Sequence, residues 1–193
     1  MESAMPQIDR TIGDVLPWAT MTLDYTEQIA ELIPDELLDQ RPTDPSGKFC
    51  FSPAELVMHC ADARRMFAGQ LIGEAQEDAY WSGGPDDEGV WEFKPYEGKD
   101  ALLKSLRDTR ALLTPYLERP ANDLLAETEG TRASFDKNLE YMREHNHDTT
   151  RMERAGAPNI MRVLFAIAVH EAGHRGALQT LLRQHGINHS GEM

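Results

Sequence analysis

Residues 163–187 read VLFAIAVHEAGHRGALQTLLRQHGI. Val163, Ile167, His170, His174, Ala177 and Leu181 recur at spacings of 4, 3, 4, 3 and 4, the period of one helix face. The spacing predicts a helix from about Asn159 to Gln184, with Gly186 as the residue just past its end. Two histidines thus stand on a stripe otherwise built for burial.

The rest of the chain repeats the same period. From about Asp14 to Ile33, Ile12, Leu16, Ala19, Leu23, Ala30 and Ile33 keep three-and-four spacing, with Thr26 in the gap. Pro17 suits a first turn and Pro34 a stop. A second helix starts at FSPAEL, residues 51–56, with Ser52 as N-cap, Pro53 at the first helical position and Glu55 completing a capping box. Its stripe is Leu56, His59, Ala63 and Met66, with Cys60, Phe67 and Leu71 beside it and Gly73 closing it. A third runs from about Lys99 to Leu117, with Leu102, Leu103, Leu106, Leu113, Tyr116 and Leu117 on one side. Four helices with one apolar stripe each predict an all-α four-helix bundle, residues 1–193 forming a single domain. Two connections are long. Residues 73–98 carry Tyr80, Trp81, Trp91, Phe93 and Tyr96, which either cover a pocket or only pack the connection down. Residues 118–158 include an extra helix near Ser134 to Glu144.

Composition narrows the function. Lys plus Arg number 19 against 33 Asp plus Glu, a net charge of −14 without a basic stripe, which disfavours nucleic acid. No apolar run reaches membrane-spanning length. The first 30 residues carry Glu2, Asp9, Asp14 and Asp24 and no apolar signal segment. The two cysteines, Cys50 and Cys60, read as free thiols. The expectation is a cytoplasmic protein acting on a small molecule.

His170-Glu171-Ala172-Gly173-His174 matches the H-E-x-x-H pattern of zinc peptidases. The extended pattern H-E-x-x-H-x-x-G-x-x-H would put its glycine at Ala177 and its last histidine at Thr180, and both fail. No strand precedes the motif to hold a peptide. His59, on the stripe of another helix, is the better third partner. Buried imidazoles need partners, and three pointing into one bundle can share a divalent metal through His59, His170 and His174. Three neutral imidazoles leave at least one position for water or substrate, as catalytic sites do.

The chain resembles the DinB family, also called the DinB/YfiT-like superfamily. LPWATMTLDYTEQIAELIPDELLDQRPT at 16–43 is similar to its first helix and following turn. FSPAELVMHCADARRMFAGQLIGE at 51–74 is similar to its second helix, with the first metal histidine at His59. The last helix carries the H-x-x-x-H-R-G-x-L pattern from His170. The resemblance implies a four-helix bundle, a three-histidine nickel or zinc site and frequent homodimers. It also implies thiol-dependent S-transferases and isomerases among relatives, with bacillithiol, mycothiol or glutathione as cosubstrate. The long connections exceed a minimal family member, so the substrate pocket is not carried over.

The neighbours keep two readings each. Asp62 reaches the metal or a histidine N–H, or is a solvated helix position. Glu171 orients a histidine or acts as a base, or forms an interhelix ion pair. Arg175 holds a substrate carboxylate or pairs with an acidic neighbour. Cys60 reads as a core thiol. His145 and His147, two apart in a polar insert, read as surface residues, as do His185 at a helix end and His189 in the tail. The functional expectation is thiol-dependent S-transfer, with metal-dependent hydrolysis as alternative. A bundle with a structural metal or a plain interaction role is the non-catalytic reading.

Overall fold

The computed structural model describes residues 10–43, 50–74, 76–83, 90–144 and 147–188. Seven α-helices appear among them: α1 Ile12–Val15, α2 Pro17–Glu31, α3 Pro53–Ile72, α4 Lys99–Leu117, α5 Glu129–Glu144, α6 Thr150–Ala155 and α7 Ile160–Gln184. The all-α class is as expected. No helix among the described residues is long and apolar enough to cross a membrane.

Local chemistry accounts for most boundaries. Ser52 accepts from the Glu55 amide at 3.3 Å while the Glu55 carboxylate accepts from the Ser52 amide at 2.7 Å, the reciprocal capping box expected for α3. Gly73 ends α3 in the left-handed region at φ 90°, where a side chain would be strained. Asn159 caps α7 through its side chain on the Arg162 amide at 3.0 Å. The first helix departs from expectation. It breaks at Leu16, and Pro17 opens a new helix instead of sitting inside one, because its ring supplies no N–H to continue the ladder. The second connection is more ordered than expected. It folds into a 3₁₀ turn at Ala121–Leu125, α5 and α6, with α5 starting at Glu129 rather than near Ser134.

Helix α3 is the hub, packing against α4, α7, α5 and the first strand, while α2 packs against α7 and α4. Every residue of 53–64 except Glu55 is buried, so this half of α3 is enclosed on nearly all faces. Met66, expected on the buried stripe, lies beyond that half and is 42% exposed. The other connection forms a short antiparallel ribbon, β1 Trp81–Gly83 and β2 Glu92–Phe93, which the helical period did not reveal.

Helices α3 and α5 meet at two glycines. A Cβ on Gly130 would lie 2.4 Å from the Leu71 carbonyl oxygen and 2.3 Å from the Gly73 nitrogen. Backbone atoms cannot swing aside as a flexible side chain can. Gly130→Ala is therefore expected to lower the unfolding free energy by about 2 kcal/mol, within the range for overpacking. Urea denaturation checks it, and an unchanged midpoint would mean α5 docks loosely.

Candidate metal centre

His59 is held at the centre of α3, and His170 and His174 stand one turn apart on α7, which packs beside it. The Nε2 atoms converge. His59 Nε2 and His170 Nε2 are 3.0 Å apart, and His170 Nε2 and His174 Nε2 are 3.2 Å apart. One nitrogen from each ring lies within 4.8 Å of the others, so the three histidines could hold a metal ion. Imidazoles about 2.0–2.1 Å from a tetrahedral ion would sit about 3.3 Å from each other, close to this spacing. Lone pairs facing one another at such distances repel unless a proton or cation lies between them, so the donor set fits a divalent ion. His59 Nδ1 and His170 Nδ1 are buried with no hydrogen-bond partner among the described residues. The supporting acceptor usual behind a metal-bound imidazole is therefore not seen on these two rings.

Burial pushes the His59 pKa down to about 3, helped by the neighbouring His174 and His170, and the His174 pKa down to about 4. His170 is lowered by burial against an opposing pull from Glu171. All three imidazoles are thus neutral, ligand-ready bases at neutral pH. The consequence for the metal-free protein has a definite sign. The unfolded chain protonates its histidines near their ordinary value of 6.5 while the folded chain does not, so folding is favoured above that pH and weakened as pH falls. The metal-free protein is expected to lose stability progressively from pH 6.5 towards pH 4. Urea midpoints at several pH values check this, and the His59→Gln/His174→Gln protein should show a flatter profile.

Aromatic rings surround the cluster. The Trp81 and Trp91 centroids lie 5.2 Å and 4.9 Å from His59, and 5.1 Å from each other. Phe51 lies 5.3 Å from His59 and 6.3 Å from His174, and Phe67 lies 6.1 Å from His170. Trp81 and Trp91 of the first long connection therefore pack over His59. Phe51 was not singled out in the sequence, because it lies outside any periodic segment. A groove of about 460 Å³ opens beside His174, lined by Pro42, Phe51, Leu56, Ala177 and Leu181 among others.

The acidic neighbours turn away from the imidazoles. Asp62 is neither solvated nor aimed at a histidine: it is fully buried and accepts from the backbone of residues 79–81. Glu171, absent from the apolar stripe expected for α7, is fully buried, while Ala177, placed on that stripe, is exposed. Its carboxylate takes Arg64 Nε at 2.5 Å, Arg64 Nη2 at 2.9 Å and the Thr26 hydroxyl at 2.6 Å. Of its readings, the interhelix ion pair is the one this geometry displays. Arg175 meets no acid among the described residues: its Nη1 is 3.5 Å from the Thr22 carbonyl oxygen and its guanidinium lies 5.8 Å from the Tyr25 ring. It packs onto α2.

Arg64 is the residue that the sequence reading missed. Its five N–H donors reach Glu171 twice, Glu27 at 3.0 Å on α2, the Leu106 carbonyl at 2.9 Å on α4 and the Leu23 carbonyl at 3.1 Å on α2. One side chain on α3 thereby ties α2, α4 and α7 together. Its signal was present in outline, since Arg64 falls on the buried row Val57, Cys60, Ala68 and Leu71. Glu171 and Glu27 keep its charge, against burial. Burial beside Glu171 pushes the Cys60 thiol up, so it is an inert core thiol, and neither Cys50 nor Cys60 forms a disulfide. His147 is exposed and His185 caps the end of α7, while His145 and His189 lie outside the described residues.

Fold and site together define a helical protein whose three converging imidazoles could hold a divalent metal ion. The chain matches the DinB superfamily over residues 19–178, and it belongs to that superfamily. Neither the curated proteins nor the solved structures hold a significant match to it.

Proposed function

We propose that His59, His170 and His174 hold one divalent ion, zinc or nickel, and that the protein is a metal-dependent enzyme acting on a small molecule. The observation that carries the reading is the convergence of three Nε2 atoms from two helices beside an open groove. A divalent ion held by neutral imidazoles supplies Lewis acidity and favours the thiolate form of a thiol. Asp62 and Glu171, the two candidates for a fourth protein ligand, are both engaged elsewhere. That supports an exchangeable coordination position over a closed structural site.

The reaction we propose is S-transfer with a low-molecular-weight thiol as cosubstrate, and metal-dependent hydrolysis is the alternative. Its roles divide among the chain's own residues: the histidines bind the ion, Trp81, Trp91 and Phe51 exclude water from one side, and the groove at His174 receives the substrate. The assay pairs bacillithiol, mycothiol, glutathione and coenzyme A with reactive electrophiles, using His174→Ala as control. Turnover equal in the control would end the metal-dependent reading. Hydrolysis of esters or amides that needs metal but no thiol would end the transferase reading. We further propose a homodimer; Phe165 and Val169 on α7, 58% and 57% exposed, suit such a contact, and sedimentation velocity decides it.

A further inference from the structure

Asp62 stands on α3 one turn after His59, and its side chain is fully buried. Its Oδ2 accepts from the Tyr80 and Trp81 amides, each at 2.7 Å. Its Oδ1 accepts from the Ala79 amide at 2.9 Å and from Arg65 Nη1 at 2.8 Å. Three consecutive backbone N–H groups on one carboxylate form the kind of concave cradle that binds anions, and here the anion is the protein's own side chain. A carboxylate stays charged in the interior only where such hydrogen bonds replace its water. Burial of Asp62 and one position of residues 79–81 therefore imply each other.

The far side of that contact is the aromatic wall. Trp81 continues directly from the cradle, lies 5.2 Å from His59 and pairs across the ribbon with Phe93. The ribbon has two aligned pairs, Trp81 with Phe93 and Gly83 with Glu92, with a register shift between them. A two-stranded ribbon this short is at best marginally stable by itself. The indole does not anchor itself either, since Trp81 Nε1 is buried with no partner among the described residues.

We infer that Asp62 is a positioning residue: it latches the Trp81–Trp91 wall over His59 and bounds the site without being a ligand in it. In its metal-binding arm, this rests on the reading of His59, His170 and His174 as metal ligands.

The test uses the full chain carrying Trp18→Phe, which leaves Trp81 and Trp91 as its tryptophans, with and without Asp62→Asn. Acrylamide quenching is read first on metal-free protein, then quenching by bound cobalt(II), with cobalt content measured by equilibrium dialysis. Asp62→Asn is expected to keep its helical circular dichroism and one cobalt per chain. It should raise acrylamide quenching several-fold and weaken quenching by cobalt as the indoles leave the ion. Equal acrylamide quenching in the two proteins would overturn the latch. So would a folded Asp62→Asn protein that binds no cobalt, which would make Asp62 part of the metal site. A parent that binds no cobalt would refute the metal reading alone, because the acrylamide result still decides the latch. Should Asp62→Asn fail to fold, amide exchange in the unsubstituted protein decides. Slow exchange at Ala79, Tyr80 and Trp81 supports the latch, and exchange as fast as at exposed Glu77 removes it.

Discussion

Arg64→Met is expected to lower the unfolding free energy by about 3–5 kcal/mol, the usual cost of breaking a buried ion pair from one side. The reason is what remains. Glu171 would stay fully buried with its two strongest donors gone and only the Thr26 hydroxyl at 2.6 Å. The carbonyls of Leu23 and Leu106 would each lose a charged donor as well. For a chain of this size, each kcal/mol moves the melting temperature by about 2–4 °C, so a fall of roughly 6–20 °C should appear in a thermal scan. Replacing both partners removes the stranded charge. The Arg64→Met/Glu171→Leu protein should regain most of the loss, since an apolar pair of similar volume is often as stable as a buried ion pair. A single substitution that shifts stability by less than about 1 kcal/mol would show that the network is solvated in solution.

Removal of one imidazole is expected to be the largest change in ligand binding. His59→Ala, His170→Ala and His174→Ala should each weaken metal affinity by more than the ~10–100-fold typical of losing an outer support, because a direct donor is lost. Metal binding also stabilises the folded chain by mass action, so the thermal shift on adding zinc or nickel should vanish in all three variants. Competition with a chromophoric chelator measures the affinities. Retention of full affinity in the His59→Ala protein would remove α3 from the site and leave only the pair on α7. His147→Ala serves as the control that should change nothing.

The signals that were legible in the sequence are local ones. Ser52, Pro53 and Glu55 start α3 where expected because a capping box is complete within four residues. The limits Lys99–Leu117 of α4 came from one apolar stripe running from Leu102 to Leu117. The histidines were found by the same means: imidazoles at helical spacing among apolar residues stand out, and the structure brings the three together. Leu16 was misread because an apolar residue in register looks the same whether the helix continues through it or breaks at it.

What the sequence by itself determined, then, was the helical class, the bounds of α3, α4 and α7 and the identity of the three histidines. Each of these depends on contacts between residues no more than about four apart, which periodicity reports directly. Only the tertiary structure decided what Asp62, Arg64 and Glu171 do. Adjacent helix positions are about 100° apart, so His170 and Glu171 face different neighbours, and periodicity cannot say which helix each will meet. Glu171 finds Arg64 at a separation of 107 residues, and Asp62 finds Trp81 at 19. Those partners become neighbours only after α3 is enclosed by α4, α5 and α7, and the low-dielectric interior then makes each unpaired charge too costly to leave.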